Sequence, residues 1–213
     1  MKKNELVILL HGLGLSSFTM LYIERGLIAA GYETLKIDYP SRKYNVPRLL
    51  EITNGLVQKD ITISDYEKVH YVGHSLGGIL ARLLALKHTD SILGCCVALG
   101  SPNRGSILAA KMCKYGLINA FFGPALSDIS PGSKFINTLT VLPKCYFVLR
   151  GTRSSFTPFG NCLDKPNDGT VVVDEMVPKG LASAYLYDFY VSHSSMLFNV
   201  DVRDKVIDIL ENN

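Results

Sequence analysis

Neither sign of charge predominates in this chain: 22 lysines and arginines stand against 19 aspartates and glutamates, a net charge of +3. With no basic cluster interleaved with aromatics, that balance excludes the electrostatic footprint of a nucleic-acid binder. No stretch approaches the roughly 18 uncharged apolar residues that a membrane-spanning helix needs, so no transmembrane segment is expected, and contact with a membrane surface is left open. Cysteine is scarce and odd in number, five in all. Neither a Cys-x-x-Cys pair nor the His/Cys spacing of a metal site occurs, so no metal is expected. Cys95 and Cys96 fall together in an apolar run, and the five cysteines read as buried free thiols in a reducing compartment, which places the protein in the cytoplasm. Repeats and low-complexity tracts are also absent. The opening Met1-Lys2-Lys3 and the apolar residues after it have the outline of a leader, but Glu5 interrupts them and the apolar run is short. His11-Gly12 also stands where a small-residue cleavage site belongs, so the run reads as a first strand.

What is present is apolar material in short blocks. Over 213 residues, 47% hydrophobic content supplies one large core, and the chain reads as a single domain over 1–213. Short β-branched or Leu-rich runs at 5–10, 33–38, 68–72, 92–99, 144–149 and 184–188 have the look of buried parallel strands. Helix-like segments at 17–30, 46–59, 78–87 and 202–210 lie between and after them. The alternation predicts an α/β fold, a mostly parallel sheet of about six strands with helices on both faces. Two stretches break it: 103–142, helix-like but interrupted by Gly123, Pro124, Pro131 and Gly132, and the turn-rich 151–167. Excursions at strand ends shape the ligand crevice of an open sheet, and 103–142 reads as a cap or lid-like insertion.

Chemistry is concentrated at Gly73-His74-Ser75-Leu76-Gly77-Gly78, between a strand-like and a helix-like run. Gly-x-Ser-x-Gly at such a junction is the pattern of a nucleophile elbow, in which Gly73 and Gly77 remove side chains that would collide at a tight turn. A serine hydroxyl needs a base to take its proton and a carboxylate behind that base. Of five histidines, His74 adjoins the serine and points elsewhere along the turn, His70 lies in the preceding strand, and His88 closes the following helix. His193, just past the last strand, is the candidate base; His11 reads as a buried hydrogen-bonding scaffold. Asp168, in an Asp-Gly turn before His193, gives the order Ser, Asp, His, with Asp164 and Asp174 as the other carboxylates in reach. His11-Gly12-Leu13-Gly14 follows the first strand, and the N–H groups of Leu13 and Leu76 are the candidate oxyanion donors. Residues 115–127 carry no charge, which makes Phe121 and Phe122 candidate walls of an acyl pocket or parts of a lid.

Together these motifs resemble the α/β-hydrolase fold, and within it the small bacterial lipases and esterases. The His-Gly-x-Gly turn, the Gly-His-Ser-x-Gly-Gly elbow, Gly100-Ser101-Pro102-Asn103-Arg104-Gly105, Asp168-Gly169-Thr170-Val171 and the late His193 match in order across nearly the whole chain. Asp128-Ile129-Ser130-Pro131-Gly132-Ser133-Lys134-Phe135 resembles a turn of the lipase cap. The resemblance implies Ser75, Asp168 and His193 as a catalytic triad and Leu13 and Leu76 as oxyanion donors. The expected activity is hydrolysis of a small-molecule acyl ester or lipid without a cofactor; a thioesterase or acyltransferase on the same fold and a non-catalytic binder are the alternatives. In two respects the chain departs from the pattern: it opens directly on the 5–10 strand, without the first sheet strands of the full fold, and its 151–167 loop before the acid is longer than usual.

Overall fold

The computed structural model describes residues 4–87, 92–154 and 163–213. The apolar runs become six strands: β1 (Glu5–Leu10), β2 (Glu33–Ile37), β3 (Lys68–His74), β4 (Leu93–Leu99), β5 (Tyr146–Gly151) and β6 (Leu186–Phe189). They form one sheet in the order β2-β1-β3-β4-β5-β6, and every pairing is parallel. The reason the runs are apolar throughout is that side chains of a strand alternate between two faces and both faces here are covered. Leu6, Ile8 and Leu10 of β1 enter one core with Tyr71, Cys96 and Val148. Val7 and Leu9 enter a second core on the other face with Val72, Val97 and Leu149.

Helices cover both faces, as the alternation predicts. The first core is closed by α2 (Val46–Asp60) and α3 (Leu76–Ala85), the second by α1 (Leu21–Ala29) and α9 (Val200–Glu211). α2 and α9 begin on asparagines, Asn45 and Asn199, whose side chains accept from the N–H of Arg48 and Val202 and satisfy orphan donors of the first turn. Residues 17–30 divide into a 3-10 turn, Ser17–Met20, and α1. β6 starts later than its apolar run because Ser183–Tyr185 is itself a 3-10 turn.

The 103–142 stretch is a series of short helices, α4 (Ile107–Cys113), α5 (Gly116–Phe122), α6 (Ala125–Asp128) and α7 (Lys134–Thr138), broken after α5 and after α6 where glycine and proline were expected to break it, and also at Lys114-Tyr115, between α4 and α5, where no break was expected. Gly123 has φ +80 and lies so close to the Arg42 carbonyl that a Cβ there would overlap it. A last short helix, α8 (Val173–Met176), follows the acid turn. Cys95 and Cys96 are buried on opposite faces of β4. The expectation of buried thiols is corrected for Cys113 and Cys145, which are half-buried because they stand at element ends; Cys162 and His88 lie outside the described residues. Among the described residues, no helix is long and apolar enough to cross a membrane.

Candidate active site

Ser75 is held in a backbone conformation that its side chain disfavours: at φ 54, ψ −121 it is the one non-glycine among the described residues with positive φ. Such strain costs about 1–3 kcal/mol and persists only where the surroundings impose it. Here they do. The Ser75 N–H donates to the Leu99 carbonyl of β4 at 2.8 Å. A Cβ on Gly73 would overlap the Gly77 carbonyl, one on Gly77 would overlap the carbonyls of Leu10 and His11, and one on Gly78 would overlap Oγ of Ser101. β3 can therefore turn directly into α3, with Ser75 at the N-cap and Leu76 as the first helical residue. The positive end of the helix macrodipole faces the elbow.

His193 and Asp168 meet from two loops beyond the carboxyl ends of the strands. The His193 Nδ1–H donates to Oδ2 of Asp168 at 2.6 Å, and the His193 backbone N–H donates to the Asp168 carbonyl at 2.8 Å. Asp168 is fully buried, and its Oδ1 accepts from the N–H groups of Thr170 (2.9 Å) and Val171 (2.7 Å). Three donors on one carboxylate offset the cost of burying it. Gly100 and Gly151, at the ends of β4 and β5, leave room for the pair: a Cβ on Gly100 would stand 3.1 Å from both Asp168 Oδ2 and His193 Nδ1. Asp164 and Asp174, the other carboxylates in reach by sequence, are exposed. Ser75 and His193 line one cavity of about 220 Å³, with Gly12 and Leu13 at one side and Leu108, Met112, Phe122, Leu126 and Ile129 as apolar walls. Among the described residues, no group of three or more His, Cys, Asp or Glu side chains could hold a metal ion.

A family model described as the alpha/beta hydrolase family matches residues 7–189. The chain belongs to that family. The chain is similar in structure to a mature lipase of Bacillus licheniformis, with TM-score 0.71 and 19% identity over 94% of this chain and 91% of that one. It is also similar to a metagenomic carboxyl esterase (TM-score 0.68, 20% identity, 92% and 66% of the two chains) and to an esterase of Pyrococcus furiosus (0.62, 17%, 98% and 83%). In sequence it is 32% identical over 121 residues to a 2-hydroxy-6-oxononadienedioate/2-hydroxy-6-oxononatrienedioate hydrolase of Cupriavidus pinatubonensis, a match covering 53% of this chain and 42% of that protein. The matched stretch thus spans less than half the length of that relative.

Several residues of the site escape a reading of motifs. His74, expected to point elsewhere along the turn, donates its Nε2–H to the His193 carbonyl at 2.9 Å, its ring 4.6 Å from that of His193. Burial, and secondarily the neighbouring His193, holds its pKa well below the ordinary 6.5, so it is neutral. The turn bearing Leu13 is braced by the loop after β2: the Tyr39 hydroxyl donates to the His11 carbonyl, Tyr39 stacks on His11 at 4.2 Å, the Gly14 N–H donates to Ser41 Oγ at 2.9 Å, and Arg42 donates to the Gly14 carbonyl at 3.1 Å. His11 is the buried scaffold that was expected, its pKa lowered by burial. Of the two phenylalanines, Phe122 belongs to the cavity wall; Phe121 does not, lying 57% exposed under the Arg42 guanidinium, 4.3 Å from its ring centre.

Proposed function

We propose that this hydrolase cleaves carboxylic esters through an acyl-enzyme on Ser75, with His193 as general base and acid, Asp168 orienting the imidazole, and the N–H groups of Leu13 and Leu76 stabilising the oxyanion. The observation that carries the reading is the 2.6 Å bond from His193 to Asp168, on a histidine that shares its cavity wall with Ser75. A carboxylate at Nδ1 keeps the proton there and leaves the Nε2 lone pair to take the proton of Ser75 Oγ. Oγ then bonds to the carbonyl carbon and the π pair moves onto oxygen, where each N–H donor contributes about 3 kcal/mol. Collapse of the intermediate expels the alcohol, which takes the proton from Nε2. Water, deprotonated by the same nitrogen, then attacks the acyl carbon and releases the acid and free Ser75.

The apolar walls support an uncharged acyl group. Among the described residues lining the cavity there is no lysine or arginine, so nothing there favours the two carboxylates in the name of the Cupriavidus relative. Part of the same proposal is that 1–213 is a single domain with 103–142 as its cap, supported by the wall residues that α4, α5 and α6 contribute. The test is labelling by a fluorophosphonate together with turnover of p-nitrophenyl esters: the wild type should show both and Ser75→Ala neither. A folded wild type that takes up no label would leave a binder of hydrolase fold. Faster turnover of acyl-CoA than of esters would make thioesters the substrate.

A further inference from the structure

At the amino end of the strands, opposite the end that bears Ser75, β4 and β5 bring two thiols together. The strands run parallel with Cys96 paired to Tyr146, and the Cys96 N–H donates to the Cys145 carbonyl at 2.8 Å. This register sets Cys95 level with Cys145 at the entrance to β5, and the two sulfurs stand 2.8 Å apart, both as free thiols. Neighbouring strands lie about 4.8 Å apart, within the roughly 4.4–6.8 Å Cα separation that a disulfide spans. The backbone that carries Cys95 is pinned, its N–H donating to His70 Nδ1 at 2.9 Å. The two thiols differ in access: Cys95 is fully buried and Cys145 half-buried.

We propose that Cys95 and Cys145 are an oxidation site, a thiol pair that a hydroperoxide converts to a disulfide. Access makes Cys145 the attacking sulfur and Cys95 the resolving one. The hydrogen bond between the two sulfurs, helped by the Lys68 ammonium, draws the Cys145 thiol below its ordinary pKa, whereas the same bond and burial push Cys95 up. The Cys145 thiolate attacks one peroxide oxygen; an S–O bond forms, the O–O bond breaks, and with hydrogen peroxide the hydroxide that leaves takes up the thiol proton as water. The Cys95 sulfur then attacks the sulfenic sulfur, the S–O bond breaks, and a second water leaves with the Cys95 proton. Two thiols are oxidised and one peroxide is reduced. The new bond closes a loop across 50 positions that contains all of α4 to α7, so the oxidised form should unfold at a higher temperature.

The test is to treat the folded wild-type protein with hydrogen peroxide, block remaining thiols under denaturing conditions, and map peptides by mass spectrometry. The expected result is a peptide pair joined through Cys95 and Cys145, reversed by dithiothreitol, with a raised melting temperature and unchanged fluorophosphonate labelling. Cys145→Ser should leave Cys95 fully reduced, and Cys95→Ser should leave a sulfenic acid on Cys145 that dimedone traps. Full alkylation of both cysteines after exposure, a bridge from Cys145 to a different cysteine, or accumulation of sulfinic acid on Cys145 in the wild type would overturn the assignment.

Discussion

Ser75 stores strain that its proposed role as nucleophile accounts for and folding does not. Glycine relaxes at φ 54 whereas alanine carries the same Cβ as serine. Ser75→Gly should therefore stabilise the protein by about 1 kcal/mol and Ser75→Ala should not, while both lose ester turnover by several orders of magnitude; denaturant midpoints and p-nitrophenyl ester assays separate the two effects. Asp168→Asn turns an amide N–H toward Nδ1 of His193 and moves the ring proton to Nε2, the wrong tautomer for a base. It should cut kcat by about 10⁴ with little change in KM, and the exposed Asp164→Asn and Asp174→Asn should be near wild type. These positions could be named from the sequence because steric demands at a tight turn leave a signature in glycine spacing. His74 left none: its partner is a backbone carbonyl 119 positions away, and main-chain groups carry no sequence code.

Among the elements, α8 links the acid turn to the cap. Oε1 of buried Glu175 accepts from the Ile107 N–H that opens α4 at 2.7 Å, and Oε2 accepts from the Val172 N–H at 3.1 Å. α4 in turn supplies Leu108 and Met112 to the cavity. Glu175→Ala leaves those buried donors unsatisfied, so it should cost about 1–3 kcal/mol and raise KM for medium-chain esters more than for acetate. Burial raises the Glu175 pKa above its ordinary 4.5, with the two N–H donors opposing. The folded state therefore binds the proton more tightly than the unfolded chain, and this group's contribution falls as pH rises from 4.5 through the folded value. In Glu175→Gln, stability measured by urea unfolding should lose that part of its decline. Strands and long helices were legible because apolar runs and 3.6-residue patterns record which faces are covered. The β6 boundary was not, since a 3-10 turn and a strand draw on the same apolar residues. The clamp by Glu175 was equally hidden: a glutamate in sequence does not say which distant helix it caps.

For the molecule as a whole, buried neutral histidines set the acid limit. His11 and His74 both have pKa values lowered by burial from 6.5. The unfolded chain takes up protons that the folded state refuses, so their contribution is present above about pH 6.5 and is lost as pH falls below it. Each contributes up to about 1.4 kcal/mol per pH unit. Unfolding free energies between pH 7.5 and 5 should fall along this slope, and His74→Asn should reduce it by about one proton.

The strand order β2-β1-β3-β4-β5-β6 also has a meaning in time. β3 pairs with β1 on the side away from β2, and each later strand from β4 to β6 joins the strand made just before it, so from β3 onward a ribosome delivers the sheet in the order in which it is stacked. The serine emerges with β3, and the imidazole that Asp168 orients emerges only after β6, 119 positions beyond His74. A nascent chain that has made only β3 therefore carries the Ser75 hydroxyl without the His193–Asp168 pair. On the proposed mechanism, Ser75 gains its base only once synthesis has passed the last strand, so chain order sets when ester cleavage can begin.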